Sequence, residues 1–265
     1  MTKIYQIDSF TDKPFTGNPA GVCILDEPAD EKWMQNVAKE MAVSETAFLY
    51  PEDDGYNLRW FAPDAEVDLC GHATMASAHI LWETDYAQEN ETLKFSTKSG
   101  VLTANMNKGW IELDFPIIPV EKADAPEGLI ESLGVEPIYV GINAFDYILE
   151  LGSEKELRSI EPDFSRLADI TTRGVSVTSA SSSNEYDFVS RFFAPAIGIP
   201  EDPVTGSAHC CLGPYWMKKL NKSSFTAYQV SARGGFMKVD VKGERVILSG
   251  KAVTFLEGTI HKPCK

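Results

Sequence analysis

The sequence has no apolar run that approaches the roughly 18 residues a membrane-spanning helix needs. Its first ten residues, MTKIYQIDSF, alternate apolar and polar side chains and lack the apolar core of a secretory signal. The five cysteines are an odd number without the spacing of a disulfide framework, which is typical of reduced thiols. These absences predict a soluble, cytoplasmic protein with no membrane partner.

Positive charge is scarce. The chain has 24 lysines and arginines against 39 aspartates and glutamates, a formal net charge of −15, and its basic residues form no run. Such a protein repels a phosphate backbone, so we expect no nucleic-acid partner. A small anionic substrate is still allowed, because a few local hydrogen-bond donors outweigh a screened global field.

The signatures of common cofactor and metal enzymes are also missing. The chain contains no G-x-G-x-x-G, no Walker loop, no G-x-S-x-G, and neither C-x-x-C nor H-E-x-x-H. A metal site built from Cys70, His72, His209, Cys210 and Cys211 is not expected. The last three are consecutive, and consecutive side chains on a helix point about 100° apart. We therefore expect no metal and no cofactor.

What the chain does contain is an internal repeat. RWFAP at 59–63 aligns with RFFAP at 191–195 at an offset of 132 residues, and further matches follow at an offset of 135. A nearly constant shift predicts two copies of one β-rich unit. The expected halves are 1–117, completed by about 255–265, and 118–254, with the active site in the cleft between them.

Each copy carries a turn of small residues that opens a helix, CGHA at 70–73 and TGSA at 205–208. Glycine lets a ligand approach the backbone, and the unbonded N–H groups of a helix start attract anions. Packing alone explains one such turn, but its duplication favours a carboxylate site. The expected helices run from His72 to Trp82 and from Ser207 to Lys219.

Local patterns predict further elements. Asp30 is the expected N-cap of a helix that presents Trp33, Met34, Val37, Ala38 and Met41 on one face. Alternation or β-rich composition predicts strands or hairpins at residues 3–9, 21–25, 45–50, 57–61 and 93–104.

Four motifs occur in order along the chain: FTGNPAGV at 15–22, SETAF at 44–48, CGHAT at 70–74 and DPVTGSA at 202–208. Together they resemble the phenazine biosynthesis PhzF-like family of isomerases, over nearly the whole chain. The resemblance implies an α+β fold like that of diaminopimelate epimerase. Such a fold has two pseudo-symmetric domains, each a curved, mainly antiparallel sheet wrapped around a central helix.

The resemblance also bears on the chemistry. Epimerases of this fold use two opposed cysteines, and the corresponding positions here are Cys70 and Thr205. A threonine hydroxyl is too weakly acidic to replace a thiolate, so two-thiol racemisation is disfavoured and Cys70 is interpreted as structural. The family's acid–base is the glutamate of the SETAF motif, Glu45. At the offset of 132 its counterpart is Val177, so the carboxylate occurs in one half only.

Other roles follow from the same resemblance. It implies that Asp202 and His72 act in catalysis with Glu45. The substrate-binding positions that it implies are Gly71, His72, Gly206, Ser207 and Asn18. Local explanations remain open for some of them: a histidine at a helix start is often a satisfied structural group, and an Asn-Pro pair forms a turn by itself.

The sequence therefore predicts a cofactor-independent isomerase that relocates a proton and a double bond in a small carboxylate substrate, with Glu45 carrying the proton. The resemblance adds the expectation of a homodimer. Two alternatives stay open. One is an epimerase or racemase that uses Glu45 with Cys70 or another group as the opposed acid, and the other is a non-catalytic binding member of the family.

Overall fold

The structure is a computed structural model of the chain, and it describes residues 1–261. The chain divides into two compact units, Met1–Asp114 with Ser249–Lys265, and Phe115–Leu248. The sequence expectation places the two junctions at 117/118 and at about 255, and its final segment falls partly on residues 262–265, outside the described residues. Within the described part of the chain, no helix has the length and apolar character needed to cross a membrane.

The first unit contains a mixed sheet, in which some neighbouring strands are parallel and others antiparallel. Its elements are β1 (Thr2–Ser9), β2 (Asn18–Ile24), α1 (Glu31–Met41), β3 (Glu45–Glu52), β4 (Gly55–Phe61), β5 (Glu66–Val67), α2 (Gly71–Glu83), β6 (Leu93–Thr97), β7 (Gly100–Asn107) and β8 (Trp110–Pro116). Strand β1 is antiparallel to β2, β2 is parallel to β3, and β3 is antiparallel to β4. Strand β4 pairs antiparallel with β5 and parallel with β6, and β6 is antiparallel to β7.

Helix α2 is the central helix of this unit. From His72 to Trp82 every residue except His79 is buried, and the helix contacts β1, β2 and β3. Alanines at 73, 76 and 78 let the strands approach the helix closely. A helix that is apolar all round is stable only when protein surrounds it, so α2 and the sheet require each other.

Helix α1 covers the sheet from another side. Its N-cap is Asp30, whose carboxylate accepts a hydrogen bond from the Trp33 backbone N–H at 2.9 Å. Met34 and Ala38 are buried in a cluster with Phe48 of the sheet. The predicted N-cap and the predicted apolar face are both confirmed, because capping and helical periodicity depend only on neighbouring residues.

The second unit repeats the strand order of the first. Its elements are β9 (Glu121–Lys122), α3 (Leu129–Leu133), β10 (Tyr139–Ile142), β11 (Asp146–Glu150), α4 (Glu154–Arg158), α5 (Phe164–Ala168), β12 (Gly174–Ala180), β13 (Phe188–Ala194), β14 (Ile199–Asp202), α6 (Gly206–Leu220), β15 (Ser224–Gln229), β16 (Gly235–Lys242) and β17 (Arg245–Gly250). The directions from β10 to β16 match those from β1 to β7 pair by pair. Strand β18 (Ala252–Ile260) returns to the first unit as the antiparallel neighbour of β1.

The duplicated motif RWFAP/RFFAP forms the same arrangement in both units. Arg59 makes two hydrogen bonds to Glu66, at 2.7 and 2.8 Å, and its guanidinium lies 5.2 Å from the centre of the Phe61 ring. Arg191 makes two to Glu201, at 2.8 and 2.9 Å, and lies 4.8 Å from the Phe193 ring. The two units are therefore copies at the level of side-chain contacts as well as topology.

The sheet register corrects one expectation. Arg59 lies opposite Phe48, and Arg191 lies opposite Val177, so Val177 corresponds to Phe48 and not to Glu45. The offset is 129 residues on β12 and 132 on β13, because the paired residues Val177 and Arg191 are 14 positions apart in the chain and Phe48 and Arg59 are 11 apart.

Gly174, the first residue of β12, is thus the counterpart of Glu45, the first residue of β3. A Cβ atom on Gly174 would lie 2.3 Å from the Phe192 ring, so the position has no room for a side chain. The inference that the carboxylate occurs in one unit only survives the correction.

Candidate active site

In the first unit, two elements bring together three side chains that are distant in the sequence. Glu45 is the first residue of β3, where it pairs with Ala20 of the parallel strand β2. Helix α2 begins at Gly71, with Cys70 as its N-cap and His72 in its first turn. One nitrogen, oxygen or sulfur atom from each of Glu45, Cys70 and His72 lies within 4.8 Å of the other two.

The distances inside this cluster are those of hydrogen-bonding groups. The Nε2 atom of His72 is 3.2 Å from Oε2 of Glu45, and the two side chains are 8% and 13% exposed. The Sγ atom of Cys70 is 3.5 Å from Nδ1 and 4.0 Å from Nε2 of the same ring. The Ser9 hydroxyl donates to the His72 carbonyl at 2.8 Å and so holds the start of α2.

Burial lowers the pKa of His72 to about 3, so its imidazole is neutral at pH 7. A neutral imidazole has one N–H donor and one acceptor nitrogen, and Nε2 here faces the Glu45 carboxylate. The neutral ring is therefore an uncharged hydrogen-bonding partner of Glu45.

Asn18 is the first residue of β2 and contacts the residue that precedes Glu45. It is fully buried, and its Oδ1 atom is 3.4 Å from the hydroxyl of Ser44, the residue before Glu45. Gly17 next to it has a φ of +69°, and a Cβ atom there would lie 2.2 Å from the Ser9 carbonyl oxygen. The FTGNP motif thus forms a tight approach between chain segments and contacts the SETAF motif.

The second unit holds the DPVTG turn by buried hydrogen bonds. Thr205, the N-cap of α6, donates from Oγ1 to Oδ2 of Asp202 at 2.5 Å. Gln229, which is 1% exposed, accepts from the Thr205 backbone N–H at 3.0 Å and donates to the Asp202 carbonyl at 2.7 Å. Gly206 and Ser207 follow as the first two residues of α6.

Arg173 is a residue at this turn that sequence reasoning missed. Its guanidinium donates to Oγ of Ser207 at 3.2 Å and binds the Asp146 carboxylate with two nitrogens, one of them at 2.8 Å. The rings of Phe145 and Phe192 lie 5.2 and 5.6 Å from it. Because Arg173 donates to the Ser207 oxygen, the hydroxyl hydrogen of Ser207 is directed to another acceptor.

The signal for Arg173 was present in the repeat, but only the correct register shows it. With an offset of 129, Arg173 takes the position of Ser44, the residue before Glu45. Burial raises the pKa of Asp146, and the Arg173 guanidinium opposes that effect. The first unit thus has an acid at this strand start, and the second unit has a cation.

The three consecutive residues after Ala208 are structural. The ring of His209 is buried with Nδ1 2.8 Å from the Thr205 carbonyl oxygen, while Cys210 and Cys211 are 3% and 0% exposed. Burial raises the pKa of the Cys211 thiol to about 12. The interpretation of both cysteines as small apolar residues of a buried helix is confirmed.

Comparison with known proteins agrees with these motifs. The family model described as phenazine biosynthesis-like protein, PhzC-PhzF, matches residues 7–258. The chain belongs to the PhzC-PhzF family. A relative named as an uncharacterized isomerase, from Halalkalibacterium halodurans, is 57% identical over 260 residues, which are 98% of each chain. A crystal structure of a PhzF-family phenazine biosynthesis protein from Enterococcus faecalis is 43% identical, with a TM-score of 0.93 over 97% of this chain and 98% of that chain.

More distant structures share the fold alone. A probable proline racemase from Agrobacterium radiobacter superposes with a TM-score of 0.67 at 11% identity, over 98% of this chain and 93% of that chain. The predicted family and the α+β, diaminopimelate epimerase-like fold are both confirmed. The PhzC-PhzF member described here is an isomerase-type enzyme.

Proposed function

We propose that this PhzC-PhzF protein isomerises a small carboxylate without a cofactor, Glu45 taking a proton from one carbon and delivering it to another. The observation that carries the proposal is the 3.2 Å approach of His72 Nε2 to Glu45 Oε2 in an almost buried cluster. A proton shuttle must be stable enough in both its ionised and its protonated form. A neutral histidine partner meets that condition because it stabilises the carboxylate only modestly.

The reaction balances within the substrate. Glu45 removes a proton from a saturated carbon, and the electron pair left behind delocalises through the adjacent double bond. The same proton then returns from Glu45 to the far end of that system, so the double bond moves and no atom is gained or lost. His72 holds the Glu45 carboxyl group in place through both steps.

The substrate carboxylate requires local donors, because the chain as a whole is strongly acidic. The resemblance assigns substrate contacts to Gly71, Gly206 and Ser207, with Asp202 as a further polar group. Arg173 supports that assignment for the second unit, since its guanidinium donates to the Ser207 oxygen and so directs the hydroxyl hydrogen to another acceptor.

The epimerase alternative is weakened in one of its forms. An opposed acid and base must each approach the same carbon to about 3–3.5 Å from opposite faces, which separates them by roughly 6–7 Å. Glu45 and Cys70 lie within 4.8 Å of each other, too close to receive a carbon between them. Epimerisation by Glu45 with a different opposed group stays an alternative, as does a non-catalytic binding role.

The test is solvent-deuterium incorporation into a panel of small cyclic and acyclic carboxylates, followed by mass spectrometry and NMR. Glu45→Gln keeps the shape of the side chain and removes the titrating group. Glu52→Gln, at the other end of the same strand, is the matched control. We expect the first variant to lose at least about 100-fold of the exchange rate and the control to keep it.

The outcomes separate the alternatives. Deuterium with a shifted double bond supports the isomerase, whereas deuterium at a stereocentre with loss of optical rotation supports the epimerase. A fully active Glu45→Gln variant would remove the proposed role of Glu45. Tight calorimetric binding of a panel compound without any exchange by the wild type would favour the binding member.

Two further properties belong to the proposal. The homodimer rests on the family resemblance and is tested by sedimentation equilibrium. A cytoplasmic location rests on the cysteine usage and is tested by cell fractionation.

A further inference from the structure

The cluster of Glu45, Cys70 and His72 joins three chemically different donor atoms. A carboxylate oxygen, a thiol sulfur and an imidazole nitrogen lie within 4.8 Å of one another. Among residues 1–261, this is the group of three histidine, cysteine or acidic side chains whose donor atoms lie close enough to bind one metal ion. Sulfur and nitrogen donors together select thiophilic cations such as zinc and cadmium over magnesium and calcium. The donor set therefore points to one class of metal.

The spacing is close to that of a tetrahedral zinc centre. With metal–ligand bonds of about 2.0–2.3 Å, neighbouring donor atoms of such a centre are roughly 3.3–3.7 Å apart. Nε2 of His72 is 3.2 Å from Oε2 of Glu45 and 4.0 Å from Sγ of Cys70. Because Sγ is also 3.5 Å from Nδ1, it lies beside the ring and not ahead of Nε2. Ligation of one ion therefore requires the Cys70 side chain to rotate and the three donors, now within 4.8 Å, to move closer together.

The sequence argues against a different set of metal ligands, in which Cys70 and His72 act with three consecutive residues of α6. Consecutive helical side chains diverge, so that set cannot converge on one ion. Those α6 side chains are indeed directed elsewhere, His209 to the Thr205 carbonyl and Cys211 to the Ala208 carbonyl. The third donor of the cluster is Glu45, which belongs to another element and is 27 residues from His72 in the chain.

We propose that the side chains of Glu45, Cys70 and His72 bind one zinc ion, and that this ion is an inhibitor of the enzyme and not a cofactor. The thiol proton of Cys70 is released to solvent as the zinc–sulfur bond forms. A zinc-bound Glu45 carboxylate no longer accepts a proton from carbon. The inhibition rests on the proposed function, whereas the binding does not.

Binding is tested first, with cadmium as a spectroscopic probe, because cadmium–thiolate bonds absorb in the ultraviolet. The wild type and Cys23→Ala, a control that removes one thiol of β2 outside the cluster, should each show one saturable equivalent that zinc displaces. Cys70→Ser should lose the signal. Glu45→Gln keeps the thiol and should weaken cadmium binding at least about 10-fold, the low end for disturbing a metal site.

Several results would overturn the binding claim. They are the absence of a saturable signal in the wild type, the same signal in Cys70→Ser, or unchanged affinity in Glu45→Gln. Circular dichroism establishes that each variant is folded. If Cys70→Ser does not fold, anomalous scattering from a zinc-soaked wild-type crystal decides the matter, with a peak in bonding distance of all three side chains expected and a peak elsewhere refuting the site.

The inhibition is tested separately by the deuterium-exchange assay. Zinc should slow exchange by the wild type and by Cys23→Ala, and a chelator should restore it. Cys70→Ser should need at least about 10-fold more zinc than the wild type for the same fractional loss of its own zinc-free exchange rate. If zinc binds but the exchange rate does not change, only the claim of inhibition is refuted. If Glu45→Gln exchanges deuterium as fast as the wild type, the proposed function is refuted, whereas the proposed metal site is not affected.

Discussion

Acidification from pH 7 to pH 5 is expected to remove about 2 kcal/mol from the free energy of unfolding through His209 alone. The His209 ring is completely buried in α6. Its Nδ1–H donates to the Thr205 carbonyl at 2.8 Å, and its Nε2 atom is 3.5 Å from the Ser190 hydroxyl. Burial lowers the pKa of His209 to about 4, although the bond to Thr205 acts in the opposite direction.

The sign and size follow from proton linkage. In the unfolded chain the histidine pKa is about 6.5, so between pH 6.5 and pH 4 the unfolded state binds a proton that the folded state does not. Stability is therefore complete above pH 6.5 and falls as the pH drops through that window, by about 1.4 kcal/mol per unit. The interval from 6.5 to 5 gives about 2 kcal/mol.

The assay is urea unfolding at several pH values between 7 and 5, followed by tryptophan fluorescence. Trp216 is the one tryptophan between residues 115 and 248, and it reports on the unit that contains His209. His209→Asn removes the titrating group and keeps a donor for the Thr205 carbonyl. Its free energy of unfolding should fall about 2 kcal/mol less than that of the wild type over this range.

Leu212→Ala is the control, because it removes buried apolar volume from the same helix without removing a titrating group. It should lower stability by a similar amount at every pH and keep the wild-type pH dependence. If His209→Asn and the wild type lose the same free energy between pH 7 and pH 5, the account of His209 as a buried neutral group is refuted.

Three further changes test other parts of the structure. Asp30→Ala should cost about 1 kcal/mol of unfolding free energy, measured in urea, because the Trp33 backbone N–H loses its capping partner; Asp30→Asn should restore most of it. Gly174→Ala should destabilise the second unit, because its Cβ atom would lie 2.3 Å from the Phe192 ring, and an unchanged melting temperature would contradict that contact. The Cys211 thiol, whose pKa burial raises to about 12, should resist alkylation at pH 8 until the protein unfolds, as peptide mass spectrometry would show.

Local chemistry made much of the fold predictable. Helices α2 and α6 begin at Gly71 and Gly206, one residue before the positions expected from the small-residue turns. The internal repeat predicted two copies of one unit, and both contain the same order of strand pairings. The repeat failed where loops differ, because an offset measured on β4 and β13 does not hold on β3 and β12.

The residues at the candidate site were harder to place. The motifs led to Glu45 and His72, but nothing in them gave the 3.2 Å approach of the two side chains. Arg173 belongs to none of the four motifs, and its hydrogen bond to Ser207 joins residues that are 34 positions apart. Such pairs depend on strand register and on how a helix packs against its sheet.

By itself the sequence determined the family and, through that resemblance, the fold class, and its internal repeat determined the two-copy organisation. It also placed the starts of α1, α2 and α6 to within one residue, because capping and turn chemistry act over a few neighbouring residues. The tertiary structure decided which side chains meet. It placed Cys70 and His72 beside Glu45, buried the imidazole and so made it neutral, and gave Ser207 its guanidinium partner. Proximity and burial are properties of the folded chain, because both arise when segments distant in sequence pack together.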